Sequence, residues 1–526
     1  MGPERQDVLL EIPEQPVREA VKPEGAPKIK PIDRSQGVLR PVVVEELVAE
    51  DHKVRAIWDL TGELDLSRFH KKIKSQEGRA GRAAWNPRLL LSVWLYAYSE
   101  QITSAREIEE RMEYEPALMW LAGLGEINHH TLSDFRGGNA EEFKKVLAEL
   151  LGVLSKEGFV RLELVAHDGT KIRAQAGADS FRREATLQKE IARAEQMVQE
   201  LERQGETEGS GNRRREAARR RAAQERRERL KQATEELAKV RAGKDREKER
   251  EEARVSLTEP EARLMKHGDN AFAPSYNLQV STDAAYSIVV GMELTQCSSD
   301  GASLLPAMEQ VKATVGRYPE QAVADGGFTN QAAIAGMAEK EIEFYGSLPD
   351  LEVKQAAAMK SKGIDPAFGP AGFKILVEKQ TLACPAGKVL RYVRHSQKDG
   401  NEYQQYQAQG SDCASCQFRK QCCPKNAGQG RTVSLRISEN PMVAEFRKKM
   451  ETEPAKQIYR KRGAVAEFPF SWIKEKLGIR KFRLRGIAKA TGEALLGVLT
   501  YNVMQWQRLS WRPKLAAAIH SAAAVA

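Results

Sequence analysis

Residues 162–168 read LELVAHD, a short apolar run that closes on an acid and is followed by Gly169. A run this short and this apolar fits a strand, and it marks the point where a helical period gives way to an extended one. Downstream, YNLQVST (276–282) and SIVVGMEL (287–294) read as two further strands with a turn near Asp283. A helix is predicted over Ala302–Thr314, a strand over Gln321–Ala324 that ends at Asp325-Gly326-Gly327, a helix over Gln331–Ala338 and a strand over Ile342–Tyr345. This order belongs to mixed α/β folds. It sets Asp168 and Asp325 just past strand ends, where such sheets place their chemistry.

Upstream, Val42 to about Leu154 is helical in pattern: Asn86-Pro87 opens an apolar segment through Trp94, Ser104 precedes Ala105–Met112, and 131–136 (TLSDFR) resembles another helix start. Residues 1–41 carry seven prolines and few large apolar side chains, so a disordered basic arm is expected, with no secretory signal. Residues 181–262 are rich in Glu, Arg, Lys, Gln and Ala and are broken only by glycines, which predicts an antiparallel helical hairpin. Its most basic part, 213–229 (RRREAARRRAAQERRER), reads better as a solvated helix face than as a DNA contact, because glutamates are interleaved. Residues 349–449 are loop-rich and hold a cysteine cluster; helical pattern returns over 440–508, and 511–526 form a tail.

Composition narrows the function. Lys and Arg number 83 against 73 Asp and Glu, a formal net charge of +10 that favours a polyanionic partner such as nucleic acid. Charged residues make up 30% of the chain, and no apolar run approaches the roughly 18 residues that span a bilayer, so no membrane partner and a cytoplasmic, nucleoid-associated protein are expected. Phosphoryl transfer between nucleic-acid strands is commonly run by two divalent ions that need carboxylate oxygens. Asp168 and Asp325 would converge if their strands are neighbours, with a third carboxylate supplied by the C-terminal helices. The glycines after each acid leave room for a phosphate or metal near the backbone.

At these residues the chain resembles the DDE transposases of bacterial insertion sequences, which have an RNase H-like catalytic core. The matching motifs are VAHDGTKI around Asp168, GDNAFAPSYNLQVSTD (268–283), VADGGFTN around Asp325 and YRKRGAVAEFPFSWIKEKLGIRKFRLRG from Tyr459, with WNPRLLLSVWLYAY, TSAREIEERM and HHTLSDFR in the N-terminal segment. The resemblance implies an RNase H-like mixed sheet (156–180 with 263–348 and 450–510) and an all-α DNA-binding domain (42–155), to which the composition adds a charged helical-hairpin insertion (181–262) and a Cys-rich insertion (349–449). It also implies a catalytic triad of Asp168, Asp325 and Glu467 holding two Mg²⁺ or Mn²⁺, and DNA transposition by strand cleavage and strand transfer. Terminal inverted repeats and target DNA are the partners, with a homodimer on DNA expected.

Tyr459, Arg462, Glu467 and Lys474 fit the family's C-terminal signature, and Lys474 lies nearly two helical turns beyond Glu467, on the same face. Pro469 would interrupt a continuous helix, so Glu467 is expected at the start of the helix that holds Trp472 and Lys474. Glu475 and Glu493 are the competing acids. Arg480, Lys481, Arg483 and Arg485 form a basic run beside the expected site and are DNA-contact candidates, as are Arg106 and Arg136 near helix starts. His167 should point away from Asp168 into packing. Cys384, Cys413, Cys416 and Cys422 are the candidate ligands of a structural Zn²⁺, and Cys297 is expected to be a core thiol. Two other functions share much of this pattern: a two-metal nuclease that does not join strands, and a non-catalytic DNA-binding scaffold.

Overall fold

The LELVAHD run opens the central strand, Leu164–Arg173, of a mixed sheet in the computed structural model, which describes residues 41–73, 75, 83–207, 213–348, 351–376, 381–398, 400–425 and 427–525. The expected disordered arm lies outside the described residues except for Pro41. The central strand is antiparallel to Phe272–Asp283, which pairs on its other side with Ile288–Thr295 and Arg263–Lys266. It is parallel to Gln321–Ala324, and that strand is parallel to Glu343–Gly346. Parallel neighbours need crossovers, and the helices Leu304–Val315 and Gln331–Glu339 lead into the two parallel strands. The mixed α/β fold with its RNase H-like sheet is therefore as expected.

One boundary is corrected. The central strand does not end at Asp168 but runs on to Arg173, because its antiparallel partner continues to Arg173↔Ser275 while its parallel partner stops at His167↔Ala324. Asp168 is thus interior to its own strand and stands at the end of the parallel pairing alone.

Alternate residues of a strand face opposite sides of a sheet, and here both sides are covered. On one face Leu164, Ala166, Val323 and Tyr345 pack against Ala455 and Ala466 of the helix Glu453–Ser471. On the other, Val165, Ala322 and Ala324 join a large core shared with the N-terminal helices and with Ile487–Trp506. That core runs continuously from Val48 to Trp506, so the N-terminal helices bury their apolar stripes against the rest of the chain. Asn86 caps Pro87–Ser99 and Ser104 caps Ala105–Arg111 as their side chains suggest. The third helix starts earlier than expected, at His129, because Asn128 accepts the His130 N–H at 2.8 Å.

The helices Glu184–Thr207 and Arg213–Ala242 lie antiparallel, joined by the apolar contacts of Leu187 and Ala194 with Leu230, Ala233 and Leu237 and by the Glu190–Arg226 and Glu184–Arg241 pairs at 2.8 and 2.7 Å. Arg226 of the basic tract is thus paired within the hairpin. The stretch read as loop-rich contains a five-stranded antiparallel sheet: Lys374–Leu376, Thr381–Ala383, Val389–Lys398, Asn401–Gln407 and Thr432–Ser438. Its strands are mostly polar on the outer face and bury few large side chains, so they carry little apolar signal.

Candidate active site

The parallel register decides which acids meet. Ala166 pairs with Val323 and His167 with Ala324, so Asp168 and Asp325 are the next residues in line on strands about 4.8 Å apart. Both belong to the sheet face that Leu164, Ala166 and Val323 share with the helix Glu453–Ser471. His167 points to the opposite face, fully buried, bonded to Ser281 Oγ at 2.9 Å and Gln279 Oε1 at 3.0 Å. Asp168 Oδ1 accepts the Gly169 N–H and Asp325 Oδ1 the Gly327 N–H, each at 2.7 Å.

Above the aspartates lies the C-terminal helix. Arg462 Nη1 stands 3.7 Å from Asp168 Oδ2 and its Nη2 stands 4.0 Å from Glu467 Oε1, so one guanidinium spans both carboxylates. The Glu467 side chain is 70% exposed, against 18% for Asp168. Lys474 Nζ is bonded to Thr170 Oγ1, two residues beyond Asp168 on the same face. Tyr459 is half-buried against the core beneath this helix. Glu467 does not begin a helix, contrary to expectation. It lies near the end of Glu453–Ser471, which starts at the Thr452 cap with Pro454 in its first turn and contains Pro469. Three residues past the proline the chain leaves regular α geometry and widens into a π-helix, Trp472–Lys476.

The competing acids are engaged elsewhere. Glu475 pairs with the exposed Arg480. Glu493 is fully buried and accepts the backbone N–H groups of Arg483 and Leu484. Burial pushes the Glu493 carboxyl up, against the pull of Arg136 and of those N–H groups. Among the described residues, no three His, Cys, Asp or Glu side chains come together closely enough to hold a metal ion.

Burial pushes the Asp168 carboxyl up to about 6; Asp325 and Asp300 add to the rise, and the Gly169 N–H and Arg462 oppose it. Asp300 escaped the sequence reading. Its Oδ1 accepts from Asn277 Nδ2 at 2.6 Å and Gln279 Nε2 at 2.8 Å, and its Oδ2 lies 3.6 Å from Lys171 Nζ. The available signal was polar: Asn277, Gln279 and Ser281 alternate along a strand that is buried from Pro274 to Asp283. Gly169 has a different cause from the one expected, since a Cβ there would run into the Gln279 amide and Asp300. Burial also pushes the Lys474 ammonium down, helped by Arg480 and opposed by Glu475 and Asp168.

Two further expectations are corrected. Arg136 is 3% exposed, donates to Tyr98 Oη at 3.2 Å and to the Thr103 carbonyl at 2.8 Å, and stacks on Trp94, so it holds the core together and offers DNA nothing. Cys297 is exposed, in the loop beyond Thr295, because it follows the last paired residue of its strand. Arg106, Arg480, Lys481, Arg483 and Arg485 are exposed, with Arg483 Nε bonded to Thr103 Oγ1 at 3.1 Å.

Residues 383–506 match the family model described as Transposase DDE domain, and residues 42–138 match the one described as Transposase domain (DUF772). Both matched segments carry transposase descriptions, and together they indicate a DDE transposase. No match was found among curated proteins or among solved structures. The matched segments include Arg462, Glu467, Lys474 and the five clustered cysteines, whereas Asp168 and Asp325 lie between the two segments. That family implies DNA as a substrate and generally uses divalent metal ions. Among the described residues, no helix is long and apolar enough to cross a membrane.

Proposed function

We propose that this chain is a DDE transposase that binds the terminal inverted repeats of its element and carries out DNA cleavage and strand transfer with Asp168, Asp325 and Glu467. The observation that carries this reading is the parallel register that sets the two aspartates side by side beneath the helix bearing Glu467. The donor set suits Mg²⁺ or Mn²⁺, since it consists of carboxylate oxygens and the mutual repulsion of Asp168 and Asp325 calls for a cation. When bound, two such ions supply a nucleophile at neutral pH and stabilise charge on the attacking and leaving oxygens.

The chain's own groups set the conditions. Asp168 must be ionised to act; without a cation its carboxyl keeps its proton up to about pH 6, and a bound divalent ion would favour the ionised form. Arg462 favours the ionised form, and Lys474, fixed on Thr170, directs a positive charge at the DNA backbone beside the acids. In cleavage a water oxygen bonds to phosphorus as the bond to the 3′ oxygen breaks, and a 3′ hydroxyl is released. In joining, that hydroxyl bonds to a target phosphorus while a target P–O bond breaks, so no protein-linked intermediate is needed. Action on paired ends fits a homodimer on DNA, and work at the nucleoid fits a cytoplasmic location.

The test is strand cleavage of a terminal-repeat duplex with Mg²⁺, alongside a precleaved end bearing a 3′ hydroxyl. Joined product from the precleaved end is expected; cleavage without joining would make the protein a nuclease. Arg462→Gln should shift the acid limb of the cleavage pH profile to higher pH, because the cation 3.7 Å from Asp168 is gone. An unmoved limb would remove that role from Arg462. The double substitution Lys481→Gln with Arg485→Gln should weaken DNA binding and lower the slope of log K against log salt by about 2, if each side chain meets one phosphate.

A further inference from the structure

The five clustered cysteines surround one small cavity of about 30 Å³ at the end of the five-stranded sheet. Cys384, Cys413 and Cys422 pack against the same apolar cluster, which includes Leu382, Leu390, Tyr406 and Val433. Cys416 follows Cys413 by three residues, with its N–H bonded to the Cys413 carbonyl at 3.4 Å, so the pair forms a single turn.

Two of the sulfurs already accept backbone N–H groups. Cys384 begins a tight turn, CPAGK, in which Gly387 takes φ +76° and donates to the Cys384 carbonyl at 2.8 Å. This turn aims the Lys388 N–H at Cys384 Sγ, 3.3 Å away. The Arg431 N–H points at Cys413 Sγ at the same distance. Such bonds form the outer shell that orients metal-binding sulfur.

The cavity wall is also cationic. Lys388, Arg419 and Arg431 line it, with Asp412 the one acid, and the buried Nε of Arg431 has no hydrogen-bond partner. Four thiolates around one divalent cation carry a net charge of 4 − 2 = 2 negative units, the sign that this wall would stabilise. The size of the module supplies a reason for such a staple. Among the described residues its core consists of six buried ones, Phe373, Leu382, Leu390, Tyr406, Ala408 and Val433, a small set to hold five strands by apolar burial alone.

We propose that Cys384, Cys413, Cys416 and Cys422 hold one structural zinc ion, with Cys423 a buried thiol outside the ligand set. The four cysteines line the cavity but do not stand close enough together to hold an ion as they are, so binding would draw them into a tetrahedral set. The site has no open position, so it clamps the strands and takes no part in DNA chemistry. The proposal stands independently of the acid triad.

The experiment is elemental analysis of the full-length protein with titration of its native thiols. One zinc per chain is expected, with only Cys297 reacting readily and four more thiols appearing after chelation. Cys384→Ser and Cys416→Ser should each reduce zinc to well under half an equivalent, while Cys423→Ser, Cys297→Ser and Asp168→Asn keep it. Absence of zinc from protein grown with zinc would overturn the site, as would full zinc retention in Cys416→Ser. Loss in Cys423→Ser but not in Cys422→Ser would overturn the fourth ligand. Should the serine variants not fold, cobalt loading of the unaltered protein decides the matter. Intense tetrahedral thiolate bands are expected, and a weak octahedral spectrum would refute the proposal.

Discussion

Asp168→Asn should reduce Mg²⁺-dependent strand cleavage on the order of 10³-fold or more, since on the proposed mechanism it removes a charged oxygen ligand from the acid pair. The same variant should fold and be more stable than the unaltered protein at neutral pH without divalent cations. The sign follows from the titration: the carboxyl is raised from the ordinary 3.8 to about 6, so the native state binds more protons than the unfolded chain within that window. Stability therefore falls as pH rises from about 4 to 6 and stays lower above it. A shift of about two units at this largely buried group corresponds to at most about 3 kcal/mol. Asparagine removes that cost, so the gap in Tm between the two proteins should be near zero at pH 4 and full above pH 6. Full cleavage activity in Asp168→Asn would end the assignment. A gap in Tm that does not depend on pH would show that Asp168 titrates normally.

Glu493→Ala should destabilise the fold by about 3–5 kcal/mol, measured by chemical denaturation. Glu493 accepts from the N–H groups of Arg483 and Leu484 where the basic run meets Ile487–Trp506, and it is the acid that the buried Arg136 senses. Alanine leaves those donors unpaired and a guanidinium uncompensated, while Arg136 continues to anchor Tyr98 and Thr103 in the N-terminal helices. Glu475→Ala, which breaks only an exposed pair with Arg480, should cost under about 1 kcal/mol. Equal effects of the two substitutions would mean that burial of Glu493 contributes nothing.

The order of elements was legible in the chain because its signals are local. Gln321–Ala324 is a strand at the expected bounds, and Asn86 and Ser104 cap the helices that follow them. The helical hairpin followed from composition, since few residues of that tract can do anything but form solvated helix. Where the acids go was legible in part. The strand containing LELVAHD and the strand ending at Asp325 were each recognisable, and so was the motif carrying Arg462, Glu467 and Lys474.

Other features depend on partners far along the chain. The central strand continues past Asp168 because Phe272–Asp283, about a hundred residues later, supplies hydrogen bonds as far as Arg173, and no local pattern records the length of a partner strand. Pro469 lies inside a helix because contacts of Ala455 and Ala466 with the sheet outweigh the proline's local cost. Arg136 and Cys297 were misread for the same reason: burial belongs to the assembled core, so a basic residue on a short helix can lie inside it and a cysteine just past a strand can lie outside. The sequence alone therefore determined which elements form and which residue types could do the chemistry, because propensity and periodicity act over a few residues. Register, burial and the meeting of Asp168 with Asp325 were decided by tertiary structure, because they depend on strand pairing and side-chain packing between segments more than a hundred residues apart.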